Sequence, residues 1–566
     1  FTLQYLGKKS AMPSLGLLTL ASMFPQDYNL RLVDMNVQPL TDDDLHWADL
    51  VCTSTMIVQR KSLEQVIARA KRAGKPIVAG GPHPTSYWEE IEDVDYFLLG
   101  EVEETFAPFL HDLENGTARH IYVPQERPSI TQTPPPRFGL INMREYGSML
   151  LQFSRGCPFD CEFCDITKLY GRVPRTKTNE QMLDEFDLLY WYGWRGALFL
   201  VDDNFIGNRR DALRLVKALI PWQRERNYPF NLYTEASMNL VEYDELMDAM
   251  GQAGFTSVFV GIETPTPAAL IATKKKQNVS KEDPDYALHA VQTLQAKGLE
   301  VMGGFILGLD GDALNAFDLL IGFIQQSGIP MAMVGLLTVL KGTDLYFRME
   351  REGRLRGDTT GDNLATHLNF RPEIPEEVLN AGYKRVLNTI YDPRMEQYFA
   401  RCWTMIQNMD RSKAPKPMST PLNLTEMMRF TFASLKQLLS PQGPAYLRFL
   451  SRVITRHPAM LREAFTLAAK GYHLRKITEQ ITAVDNLKQY LAREIDHLQE
   501  EIARCAQDAD AHLKACAYDI VTQVRIQYET IHQDFRSDVD TTIDILDAFL
   551  ETTFPELDLP RSIDFP

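Results

Sequence analysis

Three cysteines stand close together in this chain. Cys157, Cys161 and Cys164 form the spacing C-x3-C-x2-C in one short loop, and the other four of the seven cysteines lie elsewhere. Three thiolates on one loop can hold three corners of a cubane iron–sulfur cluster. The fourth iron then has no protein ligand and can bind a substrate or a cofactor. The spacing therefore indicates redox chemistry at a metal cluster.

Other uses of these cysteines fit the sequence less well. A structural zinc site needs four closed ligands, and a ferredoxin-type cluster needs a fourth cysteine nearby. After Cys164 the next Cys or His is His289, more than a hundred residues further on. Disulfide bonds are disfavoured because the number of cysteines is odd.

The cysteine loop follows the first of six apolar runs that alternate with helical patterns. These runs, each predicted to be a strand, are residues 149–153, 197–201, 230–234, 257–261, 300–306 and 332–337. A regular strand–helix repeat of this kind predicts a partial (β/α)6 barrel. In such barrels the chemistry lies at the carboxyl ends of the strands.

Polar residues and glycines lie at those strand ends. The second run ends in Asp202 and Asp203, the third in Glu235 and Ser237, the fourth in Glu263, and the fifth contains Gly304 and Ile306. Carboxylates and hydroxyls can hold an ammonium group and sugar hydroxyls, and glycine lets a flat ring lie against the backbone. A single strand-end Asp is often only a helix cap, so the interpretation rests on the whole set.

The N-terminal region has a shorter strand–helix alternation. Strands are predicted at 30–34, 49–54, 76–81 and 96–100, which favours a doubly wound parallel sheet. Ligands in such sheets bind at the carboxyl ends of the strands. Those ends carry Asp34, Ser54, Gly80, Gly81, Gly100 and Glu101.

The patterns predict an α/β chain of three domains. These are a doubly wound domain over 1–125, a partial barrel over 147–375 and an all-helical domain over 376–566; a proline-rich linker over 126–146 joins the first two. Within the helical part, residues 446–476 carry seven basic residues against Glu463 alone. Two alternatives stay open for this stretch: it rests on an anionic membrane surface, or it docks onto the acidic remainder of the protein.

Composition narrows the class of partner. The net charge of −16 argues against nucleic acid, and no apolar run reaches the length of a membrane span. The sequence begins at Phe1 in an amphipathic stretch, which suggests that an N-terminal piece precedes it. A labile cluster implies a reducing cytoplasm, with or without association at the inner face of the membrane.

Taken together, these motifs resemble the radical S-adenosylmethionine (SAM) superfamily. Phe163 stands before the last cysteine, Glu263 ends a Gly-x-Glu, and the fifth strand has its glycine–isoleucine–glycine pattern at 304–308. The family often has Gly-Gly-Glu at the second strand, where this chain has Val201-Asp202-Asp203. Which Asp contacts SAM is therefore left open.

The resemblance implies a set of sites and cofactors. Three cysteines would hold a [4Fe-4S] cluster, at which SAM is cleaved to a 5′-deoxyadenosyl radical, with electrons from a donor such as flavodoxin or ferredoxin. The implied SAM-binding residues are Phe163, Asp202, Asp203, Glu235, Ser237, Glu263, Gly304 and Ile306. The candidates for holding the SAM carboxylate are Arg155, Lys168, Arg172, Arg175 and Lys177. No catalytic residue is assigned.

The N-terminal region resembles the cobalamin-binding domain that precedes many radical SAM domains. That domain often uses D-x-H-x-x-G, whose His ligates cobalt; here the residues are Asp34 to Pro39, with Asn36 in place of the His. The resemblance implies cobalamin without a histidine below the metal, or a domain that has lost its cofactor. The implied cobalamin-binding residues are Asn36, Ser54, Gly80, Gly81, Gly100 and Glu101.

The domain order resembles a subgroup that includes the hopanoid methylases. It implies cobalamin-dependent C-methylation of an unactivated carbon in a hydrophobic or natural-product substrate, a small molecule or a lipid. The alternatives are ring formation, rearrangement or carbon–carbon coupling, with or without cobalamin, and a non-catalytic iron–sulfur or corrinoid-binding protein. Sequence does not name the substrate or the oligomeric state.

Overall fold

The computed structural model describes residues 3–362, 364, 367–410, 424–504 and 510–553. The chain forms two compact units, Phe1–Gly471 and Tyr472–Pro566. The first unit contains every strand of the described residues, and the second is helical.

The strands are β1 (Val51–Ser54), β2 (Ile77–Gly80), β3 (Tyr96–Leu98), β4 (Ile121–Tyr122), β5 (Ser148–Leu151), β6 (Ser154–Arg155), β7 (Arg175–Thr176), β8 (Gly196–Leu200), β9 (Phe230–Ala236), β10 (Phe255–Glu263), β11 (Glu300–Leu307) and β12 (Met331–Leu336). The α-helices are α1 (Leu3–Leu6), α2 (Leu15–Met23), α3 (Asp42–Trp47), α4 (Arg60–Arg72), α5 (Pro82–Tyr87), α6 (Phe106–Glu114), α7 (Ile166–Leu169), α8 (Asn179–Trp191), α9 (Arg209–Glu225), α10 (Asp244–Gln252), α11 (Pro267–Ala272), α12 (Tyr286–Ala296), α13 (Ala316–Ser327), α14 (Asp344–Arg351), α15 (Glu376–Ile390), α16 (Glu396–Asn408), α17 (Leu424–Leu438), α18 (Gly443–Arg456), α19 (Leu461–Arg504), α20 (Asp510–Thr530) and α21 (Gln533–Thr553).

The N-terminal domain is a parallel sheet covered by helices on both faces. Its strands lie in the order β1-β2-β3-β4. Because successive side chains of a strand point to opposite faces, Ile77 packs with Leu63 and Ile67 of α4, whereas Val78 packs with Phe106 of α6. The layered α/β architecture predicted for this region is confirmed.

One predicted strand of this domain is wrong. Residues 30–34 form no strand; the end of the run is used in a turn, in which the Val37 N–H donates to the Asp34 carbonyl at 2.9 Å. An apolar run favours an extended chain, but a strand also needs a neighbouring backbone to pair with. That partner is not specified by the run itself.

The central domain is the predicted partial barrel. Six parallel strands follow one another in the order β5-β8-β9-β10-β11-β12. The outward-facing side chains lie under the helices, as Phe305 does against Phe323 of α13, with ring centroids 6.1 Å apart. Beside the barrel, β6 and β7 form a short antiparallel ribbon that the sequence did not predict.

The linker lies along the N-terminal domain. The Arg137 N–H donates to the Leu18 carbonyl at 2.9 Å, and the Ser22 hydroxyl donates to the Pro135 carbonyl at 2.7 Å. Its apolar residues Ile130 and Phe138 are buried. The stiff, proline-rich segment is therefore anchored to the protein at several points along its length.

Beyond residue 375 the described residues form helices and connections, without a strand. In the second unit, α20 and α21 are joined by the Tyr528 hydroxyl, which donates to Asp540 at 2.9 Å. Among the described residues, every helix is either too short or too polar to cross a bilayer.

Candidate active site

The cysteine loop has a defined shape. Gly156 has a φ of +94°, and a Cβ at this position would lie 2.8 Å from the Gly171 carbonyl oxygen. The next residue, Cys157, donates its N–H to the same carbonyl at 3.1 Å, and the Cys164 N–H donates to the Cys161 carbonyl at 3.2 Å. All three cysteines are half-buried. Glycine is required here because a side chain would strike the neighbouring backbone.

Two buried carboxylates fix the loop to its surroundings. Asp202, at the end of β8, accepts the N–H groups of Phe153 and Ser154, both at 2.8 Å. Glu162, inside the loop, accepts two hydrogen bonds from the Arg348 guanidinium of α14, at 2.6 and 3.2 Å. A bidentate pair of this kind fixes orientation as well as distance.

A third anchor comes from the N-terminal domain. Arg155 donates to Glu101 at 2.8 Å and pairs with Glu103 at 2.7 Å, and Arg175 pairs with Glu101 at 2.6 Å. Burial alone would raise the pKa of Glu103, but the Arg155 guanidinium and the hydrogen bond from the Thr133 hydroxyl together hold this pKa below its usual value. Glu101, predicted to bind cobalamin, is thus a buried partner of two arginines.

The basic residues predicted to hold the SAM carboxylate all have acidic partners. Besides the two arginines above, these pairs are Lys168–Asp344, Arg172–Asp160 and Lys177–Glu185. Each cation is thereby held in a local ion pair, at the surface or in the core. The sequence placed these cations near the cysteines but could not show their partners.

A further cation near the cysteines is Lys275, which the sequence interpretation missed. It is buried, pairs with Glu263, and lies 5.8 Å from the centroid of the Phe163 ring. Burial opposes a charge on Lys275, but Glu263 and Cys161 outweigh it, so the pKa of this ammonium is raised. The only signal in the sequence is the lysine run 274–276 after the fourth strand.

The two aspartates at the end of β8 have different surroundings. Burial raises the pKa of Asp202 to about 7, and its Oδ2 atom has no hydrogen-bond partner among the described residues. Burial raises the pKa of Asp203 to about 6, and its Oδ2 accepts the Gly156 N–H at 3.3 Å. Asp202 thus braces the chain between β5 and the cysteine loop, and Asp203 contacts the loop at Gly156.

Glu235, at the end of β9, is a half-buried carboxyl. Burial, and then the Asp203 carboxylate, raises its pKa to about 7. Such a group changes its charge near neutral pH, which is typical of functional sites.

Two amide side chains donate to the cysteine sulfurs. Asn204 Nδ2 lies 3.7 Å from the Sγ of Cys157, and Gln277 Nε2 lies 3.5 Å from the Sγ of Cys161. Asn204 also accepts the N–H of Ser237 at 3.2 Å, which links this predicted SAM residue to the loop. Hydrogen bonds to cluster sulfurs tune a cluster's reduction potential. Neither amide has a sequence signal beyond its place after a strand or near the lysine run.

The interior of the barrel is open. Phe259, Met302 and Ile306, on the face opposite the helices, are half-buried, and Met333 is 49% exposed. A Cβ at Gly304 would lie 2.9 Å from the Phe259 ring. This glycine therefore makes room for a side chain of the barrel itself, and the interior that results is apolar.

The carboxyl edge of the N-terminal sheet is made of small residues. Gly100 has a φ of +70°. Gly81 has a φ of +94°, and a Cβ there would lie 2.8 Å from the Ser54 hydroxyl. Two buried polar atoms, Thr55 Oγ1 and His83 Nδ1, have no hydrogen-bond partner among the described residues. Burial lowers the pKa of His83 and favours the neutral ring.

Asn36 is exposed, and its side-chain amide points back to Asp34 in the same turn. Its backbone and side-chain N–H groups both donate to Asp34 Oδ1 at 3.0 Å, while the Tyr146 hydroxyl donates to Asp34 Oδ2 at 2.9 Å. Asn36 and Asp34 therefore stabilise each other locally.

The residues present fit the implied cofactors. Three half-buried thiols on a shaped loop, with N–H donors at two sulfurs, suit a cubane. Within the described part of the chain no three His, Cys, Asp or Glu side chains converge on a single ion. A cubane does not need such convergence, because each thiolate binds a different iron. The small-residue edge and its unpartnered polar atoms suit a large polar cofactor such as cobalamin.

Family models cover most of the chain. Residues 151–324 match the radical SAM superfamily, residues 9–110 match the B12 binding domain, and residues 343–486 match a domain of unknown function (DUF4070). The chain is therefore a radical SAM protein with a cobalamin-binding domain.

Comparison with similar proteins shows which radical SAM family the chain belongs to. The chain is 39% identical over 501 residues to the uncharacterized methyltransferase sll1242 of Synechocystis sp., a match that covers 87% of this chain and 92% of the relative. It is 37% identical over 386 residues to the hopanoid C-2 methylase of Rhodopseudomonas palustris, covering 68% and 72%. The chain belongs to this family of radical SAM methyltransferases.

A solved structure has the same fold. The radical SAM methyltransferase TsrM from Kitasatospora setae, with cobalamin and [4Fe-4S] cluster bound, matches with a TM-score of 0.52 and 13% identity, over 82% of this chain and 99% of that chain. The predicted family, fold class, enzyme class and cofactors, namely a [4Fe-4S] cluster, SAM and cobalamin, are confirmed.

Proposed function

We propose that the enzyme transfers a methyl group to an unactivated carbon of a hydrophobic small molecule or lipid. The observation that carries this proposal is the open, apolar barrel interior beside a carboxyl edge that bears cysteines and buried carboxylates. A hydrophobic molecule can bury its surface against Phe259, Met302 and Met333. The family membership supports methylation over the alternatives of ring formation, rearrangement and coupling.

The roles of the polar residues follow from their positions. We assign Cys157, Cys161 and Cys164 to the [4Fe-4S] cluster. Lys275 is a buried cation close to Phe163 and to the charge of Cys161, so we assign it to the SAM carboxylate. Asp203 and Glu235 supply negative charge for the cationic groups of SAM; Asp202 positions the loop backbone.

The further predicted SAM contacts, through Phe163, Ser237, Glu263, Gly304 and Ile306, stay part of the proposal. Ser237 is tied to the loop through Asn204, and Glu263 holds Lys275.

We assign the second cofactor, cobalamin, to the N-terminal domain. We assign Ser54, Gly80, Gly81 and Gly100 to cobalamin, with no histidine below the cobalt at Asn36. When bound, the cluster supplies the electron that cleaves SAM, and cobalamin supplies the methyl group. For Glu101, which the sequence assigned to cobalamin, we propose a positioning role: through Arg155 and Arg175 it would hold the cysteine loop against this domain.

Cellular partners belong to the same proposal. We propose that a small electron carrier such as flavodoxin or ferredoxin would serve as the reductant, and that the enzyme works in the reducing cytoplasm, where a labile cluster would survive.

The decisive experiment uses anaerobically reconstituted protein with cobalamin, a reductant and SAM labelled in its methyl group. We expect 5′-deoxyadenosine, S-adenosylhomocysteine and labelled product when extracts of a strain lacking the gene are supplied. Cys161→Ala should lose the cluster absorbance and all 5′-deoxyadenosine, whereas Cys516→Ser, far along the chain on α20, should keep both. Wild-type protein that forms no 5′-deoxyadenosine contradicts the radical SAM reaction. Formation of 5′-deoxyadenosine without label transfer favours ring formation, rearrangement or coupling.

A further inference from the structure

Helix α17 exposes a stripe of apolar side chains. Met428, Phe432, Leu435 and the adjoining Leu439 are 66%, 62%, 50% and 89% exposed. Their spacing of four, three and four residues places them on one side of the helix, because an α-helix has 3.6 residues per turn. An exposed apolar stripe of this size indicates an interaction surface.

Helix α18 continues the pattern. Its residues Tyr446 and Phe449 pack on Phe399 of α16, with ring centroids 6.0 and 5.1 Å apart. Away from this buried face, Leu447 and Ile454 are 54% and 53% exposed. We call the apolar residues exposed on α17 and α18 the α17–α18 surface.

The charge around this surface is opposite to that of the chain. Residues 427–462 contain six Lys or Arg residues and no Asp or Glu, although the whole chain has a net charge of −16. Arg448 pairs with Glu396 at 2.9 Å in an exposed ion pair, and Arg452, Arg456 and Arg462 are exposed. Such a surface is attracted to anionic partners, while the remainder of the chain is repelled by them.

We propose that the α17–α18 surface docks on the face of a bilayer that contains anionic lipid. Exposed Phe, Leu, Met and Ile on helices that also expose arginine are features of helices that lie in the interface without crossing it. A second copy of this chain is a poor occupant, because its own basic residues would face these. The proposal stands on this surface alone and does not depend on the proposed reaction.

The structure also limits the extent of the contact. The basic stretch predicted from sequence ran over 446–476, but Lys470 binds both carboxylate oxygens of Glu300 on β11, at 2.7 and 2.9 Å. Of the two sequence alternatives, docking onto the acidic protein is therefore observed at Lys470, and the membrane alternative is our proposal for the earlier part of the stretch. The later part docks onto the acidic protein, and the earlier part, with α17, faces outward.

The test is sedimentation of the full-length protein with vesicles of phosphatidylcholine, alone or mixed with phosphatidylglycerol. We expect binding to the mixed vesicles that weakens with salt, and little binding to phosphatidylcholine alone. Phe432→Glu/Leu435→Glu should weaken binding by more than about tenfold, because two apolar anchors are lost. Arg452→Gln/Arg456→Gln should weaken it by about fivefold per arginine.

The matched control is Leu319→Glu/Val378→Glu, which adds the same charge at two exposed apolar positions on α13 and α15. It should bind like the wild type. Circular dichroism checks folding, and if the glutamate pair on α17 unfolds the protein, the exposed arginine pair decides. Equal binding to both vesicle types, or wild-type binding by the arginine variant, overturns the proposal. So does an oligomer that the α17 variant converts to monomer, since a second copy would then cover the surface.

Discussion

The two parallel sheets present very different carboxyl edges. The edge of the N-terminal sheet is built from Ser54, Gly80, Gly81 and Gly100, followed by Glu101, whose charge is paired with Arg155 and Arg175. The edge of the barrel carries three cysteines, three carboxyls with raised pKa values (the buried Asp202 and the half-buried Asp203 and Glu235), and the buried pair of Lys275 and Glu263. One edge provides room and the other provides ligands and charge. The difference matches the two cofactors, because cobalamin brings its own metal ring, whereas a cluster must be held by protein sulfur.

We expect that removing a buried charge has its largest effect on stability and on cofactor binding at the barrel edge. Lys275→Met should lower the free energy of unfolding by about 3–5 kcal/mol, because it leaves Glu263 as an unpaired buried charge. It should also weaken SAM binding. Chemical denaturation and equilibrium dialysis with SAM measure the two effects.

The neighbouring Lys274 is the matched control. It is 44% exposed in its pair with Asp344, so Lys274→Met should cost less than about 1 kcal/mol. Lys275→Met/Glu263→Gln should recover much of the stability but not the SAM affinity. Equal effects of the two single lysine variants would contradict the distinction between the edges.

At the N-terminal edge, space should matter more than charge. Gly81→Ala adds a methyl group 2.8 Å from the Ser54 hydroxyl and 2.8 Å from the Thr55 nitrogen, at a φ that disfavours a side chain. We expect a cost of about 1–3 kcal/mol and a large loss of bound cobalamin, with the iron content unchanged. Corrinoid absorbance after reconstitution and an iron assay measure this.

Gly74→Ala is the control that separates the effect of backbone strain from the effect of a filled space. Gly74 also has a positive φ, of +66°, but a Cβ there meets nothing within 4 Å. This variant should keep its cobalamin. Loss of corrinoid in both variants, or in neither, would show that room at Gly81 is not what cobalamin needs.

A smaller effect should come from the titration of Glu235. Burial raises its pKa to about 7, so the carboxyl is neutral below that pH and negative above it. Since SAM is cationic, its binding to the cluster-loaded enzyme should tighten as pH rises from about 6 to about 8. A shift of one unit in this pKa on binding corresponds to about tenfold in affinity. Equilibrium dialysis across this range should give a flatter profile for Glu235→Gln; an unchanged slope would remove Glu235 from the site.

The sequence predicted the barrel edge better than the other edge. Cys157, Cys161 and Cys164 are local in sequence, and strand ends such as Asp203 and Glu235 follow apolar runs that define them. Lys275 and Gln277 could not be assigned, because their approach to the cysteines depends on how α11 packs. The pairing of Glu101 with Arg155 is equally nonlocal. The prediction of a strand at 30–34 was wrong for the same reason, because an apolar run does not determine which backbone it pairs with.

The anchors of the cysteine loop have a consequence for the life of the enzyme. Asp202, Glu162 and Arg155 hold the loop through backbone and carboxylate contacts that use no cysteine sulfur. We expect these contacts to persist when oxygen destroys the cluster, so that little chain entropy is lost when new iron and sulfide enter. As long as the three thiols stay reduced, the enzyme would then be repaired by a supply of iron and sulfide rather than by a new polypeptide.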